Sequence, residues 1–300
     1  MLKNKKIIVT GGKGFIGSHL VDRLIKQENI VTIIDDESVD SNWINYKNNK
    51  ANYTSYNICD YEYIKHLFKD VDYVYHLAAE SRIQPTLENP ILATLTNAVG
   101  TCTILQCAKE AGVKRVIYSS TSSAYGLKNK IPLKEDMPID CLNPYSVSKT
   151  SGEELCKMYT KLFGLETVIF RYFNVYGDRQ PLKGQYAPVI GLFLEQKKNN
   201  KPLTIVGNGK QKRDFTHVSD IVEANIRAAT YNDIIGEIIN VGTGINYSIN
   251  DIAKLVGGKF INIEERLGES KISQACTKKI QKLLKFKPNN KIINYIKNGK

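Results

Sequence analysis

The chain has 300 residues and a formal net charge of +12, with 42% hydrophobic and 24% charged residues, long enough for one large α/β domain carrying a smaller appendage. Its lysines and asparagines are spread along the sequence, as at Lys197-Lys198-Asn199-Asn200-Lys201. They are not gathered on one element with aromatic neighbours, which argues against a nucleic-acid partner, and a basic surface suits steering of doubly anionic nucleotides.

Met1 to Lys6 run directly into a strand and leave no place for a secretory leader, and no apolar run approaches the length that crosses a bilayer. Six cysteines (59, 102, 107, 141, 156 and 276) form no CxxC pair and make no disulfide framework. The expectation is a soluble, reduced, cytoplasmic protein with no membrane partner and no metal.

Lys5 to Thr10 is a β-branched run that ends at the glycines of Thr10-Gly11-Gly12-Lys13-Gly14-Phe15-Ile16-Gly17, which suits a buried parallel strand. Phe15, Ile16, Leu20, Leu24 and Ile25 then recur at helical spacing. Ile30 to Ile34 is the next strand, closed by Asp35. Further strands are read at Asp72 to Leu77, Arg115 to Ser119 and Leu165 to Arg171. A helix from about Ala93 to Ala111 stops at Gly112, and another carries Tyr145 and Lys149. Strand and helix alternating in this way describe a doubly wound, Rossmann-like parallel sheet. After Asn174 the pattern loosens into turn-rich stretches. Residues 1–174 are therefore read as the dinucleotide-binding domain with the catalytic residues, and 175–300 as a smaller substrate-binding lobe interleaved with it.

In the glycine loop, Gly11 allows the tight turn, Gly14 lets the backbone approach a pyrophosphate, and Gly17 lets the helix pack closely on the sheet. The helix opening at Phe15 and Ile16 turns free N–H groups toward the phosphates. Asp35 ends the second strand, where a carboxylate accepts from the adenosine ribose and repels a 2′-phosphate; no Arg or Lys lies between Asp36 and Ser41. The cofactor is read as NAD. Tyr145 and Lys149, four apart, share one helix face. A nearby ammonium lowers a phenol's pKa toward that of a usable base. Thr121, in the run Ser119-Ser120-Thr121-Ser122-Ser123 at a strand end, is placed to hydrogen-bond a reacting hydroxyl.

With these residues in hand the chain resembles the extended short-chain dehydrogenase/reductases over nearly its whole length. Its nucleotide-sugar members are echoed by His76-Leu77-Ala78-Ala79, Asn143-Pro144-Tyr145, Arg171-Tyr172-Phe173-Asn174 and Arg213-Asp214-Phe215. The resemblance implies NAD held by Gly11, Gly14, Phe15, Ile16, Gly17, Asp35, Asn57, Ile58, Tyr145 and Lys149, with Asn57 standing where relatives carry an aspartate facing adenine. It implies a UDP-sugar substrate bound by Ser122, Ser123, Asn174, Val189, Arg213, Arg266, Glu269 and Ser273. Dehydratases and decarboxylases of the family keep a carboxylic acid within two residues of the threonine. Here Ser122 and Ser123 fill those positions, as in 4-epimerases of the UDP-N-acetylglucosamine type. Gly184 to Ile190 resembles their uridine-binding stretch. Ser273 falls where a small residue leaves room for an N-acetyl group. Against this, Ala79-Glu80-Ser81 is more like the dehydratases, and Cys276 replaces a usual aspartate. The readings are a UDP-hexose 4-epimerase that forms a homodimer, a lyase with Glu80 as its acid, or a non-catalytic NAD-binding protein.

Overall fold

The computed structural model describes residues 2–38, 46–182, 187–289 and 291–298. β1 (Lys6–Thr10) is buried from Ile7 onward, with Ile7 and Val9 facing one helical layer and Ile8 the other. It leads into α1 (Phe15–Lys26), β2 (Ile30–Ile34) and β3 (Asn52–Thr54). The chain continues through α2 (Tyr61–Ile64), β4 (Tyr73–His76), α3 (Ile83–Glu88), α4 (Pro90–Thr94), α5 (Gly100–Glu110), β5 (Arg115–Thr121), α6 (Pro144–Phe163) and β6 (Glu166–Tyr172). Four short strands follow, β7 (Val175–Tyr176), β8 (Leu203–Val206), β9 (Lys212–Asp214) and β10 (Thr216–His217), with α7 (Val189–Lys198) after β7. The last elements are α8 (Val218–Ala228), β11 (Ile238–Val241), β12 (Asn246–Ser248), α9 (Ile249–Val256), β13 (Phe260–Ile263), α10 (Lys278–Leu284) and α11 (Ile292–Lys297).

Among the described residues seven parallel strands form the central sheet in the order β3-β2-β1-β4-β5-β6-β11. All seven residues of β5 are buried, as required of a strand covered on both faces. One layer holds α1, α8 and α10, and the other α2, α5 and α6. The expected Rossmann-like doubly wound sheet is therefore observed. β3 has only three residues at the sheet edge and none of the alternation that marks a strand in sequence. β11 comes from the chain's second half and pairs with β6, so the two halves share one sheet. A separate core of Phe193, Leu203, Ile205, Phe215, Ile252 and Val256 holds the C-terminal lobe.

Two features of the helices bear on the site. α6 starts at Asn143, whose side chain accepts from Ser146 N while Ser146 reaches back, with Pro144 in the first turn; it stops at Gly164 with φ 71°. The second concerns α4 and α5, joined by a π-turn at Leu95–Val99 into one helix, Pro90–Glu110. That helix is long and apolar enough by length and composition to cross a membrane, which corrects the expectation that no run approaches that length. The threonines and Asn97 that interrupt the apolar residues hid it from a search for an unbroken run. In the fold it lies on α6 with Asn97, Thr101, Ile104 and Leu105 buried, while Ile91, Leu92, Leu95 and Val99 stay exposed.

Candidate active site

The strand order reverses between β1 and β4, and the carboxyl ends of the strands open there into a cavity of about 950 Å³, the place where such sheets bind ligands. Its wall includes Gly11, Gly14, Phe15, Ile16, Gly17, Asp35, Ile58, Thr121, Ser122, Ser123, Tyr145, Lys149, Asn174, Val189, Arg213, Arg266, Glu269 and Ser273. Asn57 is the exception. Its amide donates to Asp36 Oδ2 (3.0 Å) and its oxygen accepts from Cys59 N (2.9 Å), so it braces the turn behind Ile58 instead of facing the cavity. Of the expected uridine stretch, residues 184–186 lie outside the described residues, as do 39–41 after Asp35.

The glycine loop fits a pyrophosphate. Gly11 has φ +66°, and a Cβ there would come within 2.7 Å of Ala78 N; one on Gly17 would collide with Gly11 O. Gly14 caps α1 with no side-chain hydrogen bond and no acid follows in the first turn, so the helix N-terminus is left for an anion. Beyond the loop, Asp35 accepts from Lys13 N (2.9 Å) and Glu37 N (3.1 Å). Burial nevertheless pushes its carboxyl above the ordinary value, against those two bonds.

Tyr145 stands in the first turn of α6 and Lys149 one turn on. Lys149 is 2% exposed, with its Nζ 4.2 Å from the centroid of the Tyr118 ring. Burial pushes its pKa from 10.5 down to about 7. The Tyr145 phenol is pushed up by burial, with Thr121 opposing. This departs from the expected lowering by the ammonium. In this geometry loss of water dominates, and the lysine charge is itself disfavoured. Thr121 ends β5 and accepts from Ser123 N (3.0 Å). The neighbouring serines are structural: Ser120 donates to Glu153 Oε1 (2.5 Å), and Ser119 pairs with the Tyr172 hydroxyl (3.1 Å).

On the opposite side Arg213, on β9, reaches Glu269 Oε2 (3.3 Å), and Arg266 lies 3.8 Å from Glu269 Oε1. Asn174 donates to Asp214 O (3.2 Å) and Ser273 Oγ (3.4 Å). Two guanidiniums around one carboxylate leave a net positive corner that suits a diphosphate. Sequence reasoning passed over Lys13, Asp36, Glu37, Tyr46 and Lys47, which also line the cavity. Lys13 was visible inside the glycine motif; the others come from a loop without periodicity. Glu80 is on the wall too, its carboxyl pushed up by burial.

A family model described as the NAD dependent epimerase/dehydratase family matches residues 7–242, and the chain belongs to that family. It is 39% identical over 266 residues to a UDP-N-acetyl-alpha-D-glucosaminuronate decarboxylase of Bacillus cytotoxicus, covering 83% of this chain and 78% of that protein. The structure is similar to that of UDP-N-acetylglucosamine 4-epimerase from Methanobrevibacter ruminantium M1 in complex with UDP-N-acetylmuramic acid. There the TM-score is 0.91 at 33% identity, over 99% of this chain and 97% of that one. It is also similar to a UDP-glucuronic acid 4-epimerase from Bacillus cereus in complex with UDP-glucuronic acid and NAD, with a TM-score of 0.87 at 32% identity over 97% and 96%. The cofactor is NAD.

The depressed Lys149 pKa carries a stability signature. Between pH 7 and 10.5 the unfolded chain holds a proton here that the folded chain has released, so this residue's contribution to stability rises with pH across that window and is lost as pH falls through about 7. Lys149→Met removes the term. In urea unfolding of nucleotide-stripped protein, the variant's advantage over wild type should be greatest at pH 7 and below and shrink toward pH 10.5. A gap independent of pH would contradict the buried ammonium.

Proposed function

We propose that this family member is a UDP-hexose 4-epimerase acting on UDP-GlcNAc/UDP-GalNAc, with UDP-Glc/UDP-Gal as further substrates. The observation that carries the reading is the cavity wall beside Tyr145. Ser122 and Ser123 follow Thr121 where elimination or decarboxylation in this family calls for a carboxylic acid, and a serine pair supplies no such general acid or base. Residues 1–174 then provide most of the cofactor site and residues 175–300 most of the sugar-nucleotide site.

Tyr145 takes the proton of the C4 hydroxyl, with the Thr121 hydroxyl hydrogen-bonded to the reacting oxygen. Lys149, in the protonated form that its burial confines to about pH 7 and below, stabilises the phenolate by its charge one helical turn away. NAD, which the glycine loop Gly11–Gly17, Asp35 and Ile58 would hold, would supply the hydride acceptor and donor for C4. Arg213, Arg266 and Asn174 hold the diphosphate, and Glu269 accepts from the uridine ribose, so the 4-keto sugar turns about a fixed anchor. Tyr145 then returns the proton to the inverted oxygen. Ser273, 4% exposed and beside Asn174, leaves space for the N-acetyl group. A lyase is the second reading, supported by Glu80 on the same wall and by the decarboxylase among the relatives.

The protein is proposed to work as a homodimer in the cytoplasm. All six cysteines are free, which suits a reducing compartment. Ile91 (73% exposed), Leu92, Leu95 and Val99 lie on the helix beside α6, which itself exposes Val147, Leu162 and Phe163. An apolar face of two adjacent helices is the kind of surface a second copy covers.

Incubating the protein with UDP-GlcNAc and following the sugar protons by NMR should give galacto-configured signals at unchanged mass; a dehydrated or decarboxylated product would establish the lyase reading. Tyr145→Phe should lower kcat by roughly 10²- to 10⁴-fold and spare NAD binding, and near-normal turnover would sink the assignment. Ser273→Tyr should cost the N-acetyl substrates about 10- to 200-fold in kcat/KM relative to UDP-glucose; equal losses on both would remove the pocket argument. Light scattering should show a dimer that Leu95→Glu with Val99→Glu converts to monomer, whereas an unaltered dimer would place the interface elsewhere.

A further inference from the structure

The adenosine end of the cavity holds an ion pair that sugar chemistry does not use. Lys13 stands within the glycine loop, and its ammonium is paired with Glu37. Its side chain is only 14% exposed, so the ammonium has little freedom to turn to solvent. It lies 5.5 Å from the centroid of the Tyr53 ring, and the Lys47 ammonium lies 5.6 Å from the same centroid. Both lysines line the cavity with Asp35. Glu37 is held by two further hydrogen bonds: its N–H donates to Asp35 Oδ1 (3.1 Å) and its carboxylate also accepts from Ser55 Oγ (3.1 Å).

Asp35 alone is the usual reason for refusing a 2′-phosphate at this position. Here two ammoniums share the Tyr53 ring on the same cavity wall as that carboxylate, and a lysine ammonium is a good partner for a phosphate. Lys13 is withheld because Glu37 already occupies it. We propose that Glu37 is a second determinant of cofactor choice, pairing with Lys13 so that a 2′-phosphate cannot use that ammonium to offset its repulsion by Asp35. Preference for NAD over NADP then belongs to Asp35 and Glu37 together. The inference concerns the nucleotide only and holds whichever sugar is turned over.

The test titrates nucleotide-stripped full-length protein by calorimetry with NAD⁺ and NADP⁺, and with adenosine 5′-monophosphate and adenosine 2′,5′-bisphosphate as minimal probes. In Glu37→Gln the ratio of the NADP⁺ to the NAD⁺ dissociation constant should fall about tenfold, the effect of one exposed charge at short range. The bisphosphate should gain on the monophosphate in parallel, and the shift should shrink with added salt. Glu37→Gln combined with Lys13→Met should return the ratio to the wild-type value. An unchanged ratio in Glu37→Gln overturns the proposal, and so does a shift that survives the loss of Lys13. Equal weakening of both nucleotides also overturns it, making Glu37 a turn residue only.

Discussion

Beneath the cavity floor, Glu153 of α6 and Arg171 of β6 form a two-pronged ion pair, Nε to Oε1 at 2.9 Å and Nη2 to Oε2 at 2.7 Å. Both side chains are almost wholly withdrawn from water. Burial works against the guanidinium's charge, but the hydrogen bonds and charge of Glu153 outweigh it and hold Arg171 protonated. Such a pair is a poor source of net stability, because desolvation consumes much of the attraction, and Arg171 Nη1 has no hydrogen-bond partner among the described residues. What the pair supplies is register. Ser120 of β5 donates to the same carboxylate, and the Arg171 guanidinium lies 4.7 Å from the centroid of the Tyr125 ring. Tyr125 in turn donates to Asn240 of β11 (2.6 Å). One carboxylate thus ties α6 to β5 and β6 directly and, through Arg171, Tyr125 and Asn240, to β11. Lys149 and Tyr145 sit four and eight residues before Glu153, on the same helix face. A slip of one residue would turn α6 by about 100°, breaking the pair and carrying the phenol and ammonium off the strand ends.

A second buried carboxylate does the corresponding work for the other half of the cavity. Asp214 accepts from Thr243 N, Thr243 Oγ1, Gly244 N and Ala275 N at 2.6–3.0 Å. It is fully buried, and burial pushes its carboxyl up while those four bonds oppose the shift. It joins the end of β9 to the turn after β11 and to the segment that follows Ser273. Arg213 is its chain neighbour, and Asn174 donates to its backbone carbonyl. The diphosphate corner and the sugar wall are therefore positioned by one hub, as the phenol and ammonium are by the other.

Where a residue's role is dictated by its neighbours in sequence, it was legible. The run into Gly11, the strand Ile30–Ile34 and the helix that carries Tyr145 and Lys149 each declare themselves within a few residues. β3 and the pairing of β11 with β6 did not, because they depend on contacts far along the chain and carry too little periodicity. Glu153 was open to inspection, being four residues beyond Lys149 on the same face, yet its role needs Arg171 to be seen beneath it. Asn57 shows the converse. Its position in the motif suggested adenine, and the fold spends its amide on Asp36 and Cys59 N instead.

The cavity's charges are largely partnered within the protein. Lys13 is matched by Glu37, and Arg213 and Arg266 share Glu269. Unpaired, a guanidinium as buried as that of Arg213, whose burial already disfavours its charge, would pay the full loss of hydration. The carboxylate meets part of that cost in the protein alone. In the proposed complex the diphosphate takes over the guanidiniums and the ribose hydroxyls take over Glu269, so sugar-nucleotide binding exchanges partners instead of burying bare ions. The net attraction is then the difference between two paired states, and it is smaller than the raw Coulomb terms suggest. That suits an enzyme that must let its product leave. At the helix N-terminus of the glycine loop the site presents backbone dipoles, with no capping side chain and no acid in the first turn, so a pyrophosphate bound there displaces no internal carboxylate.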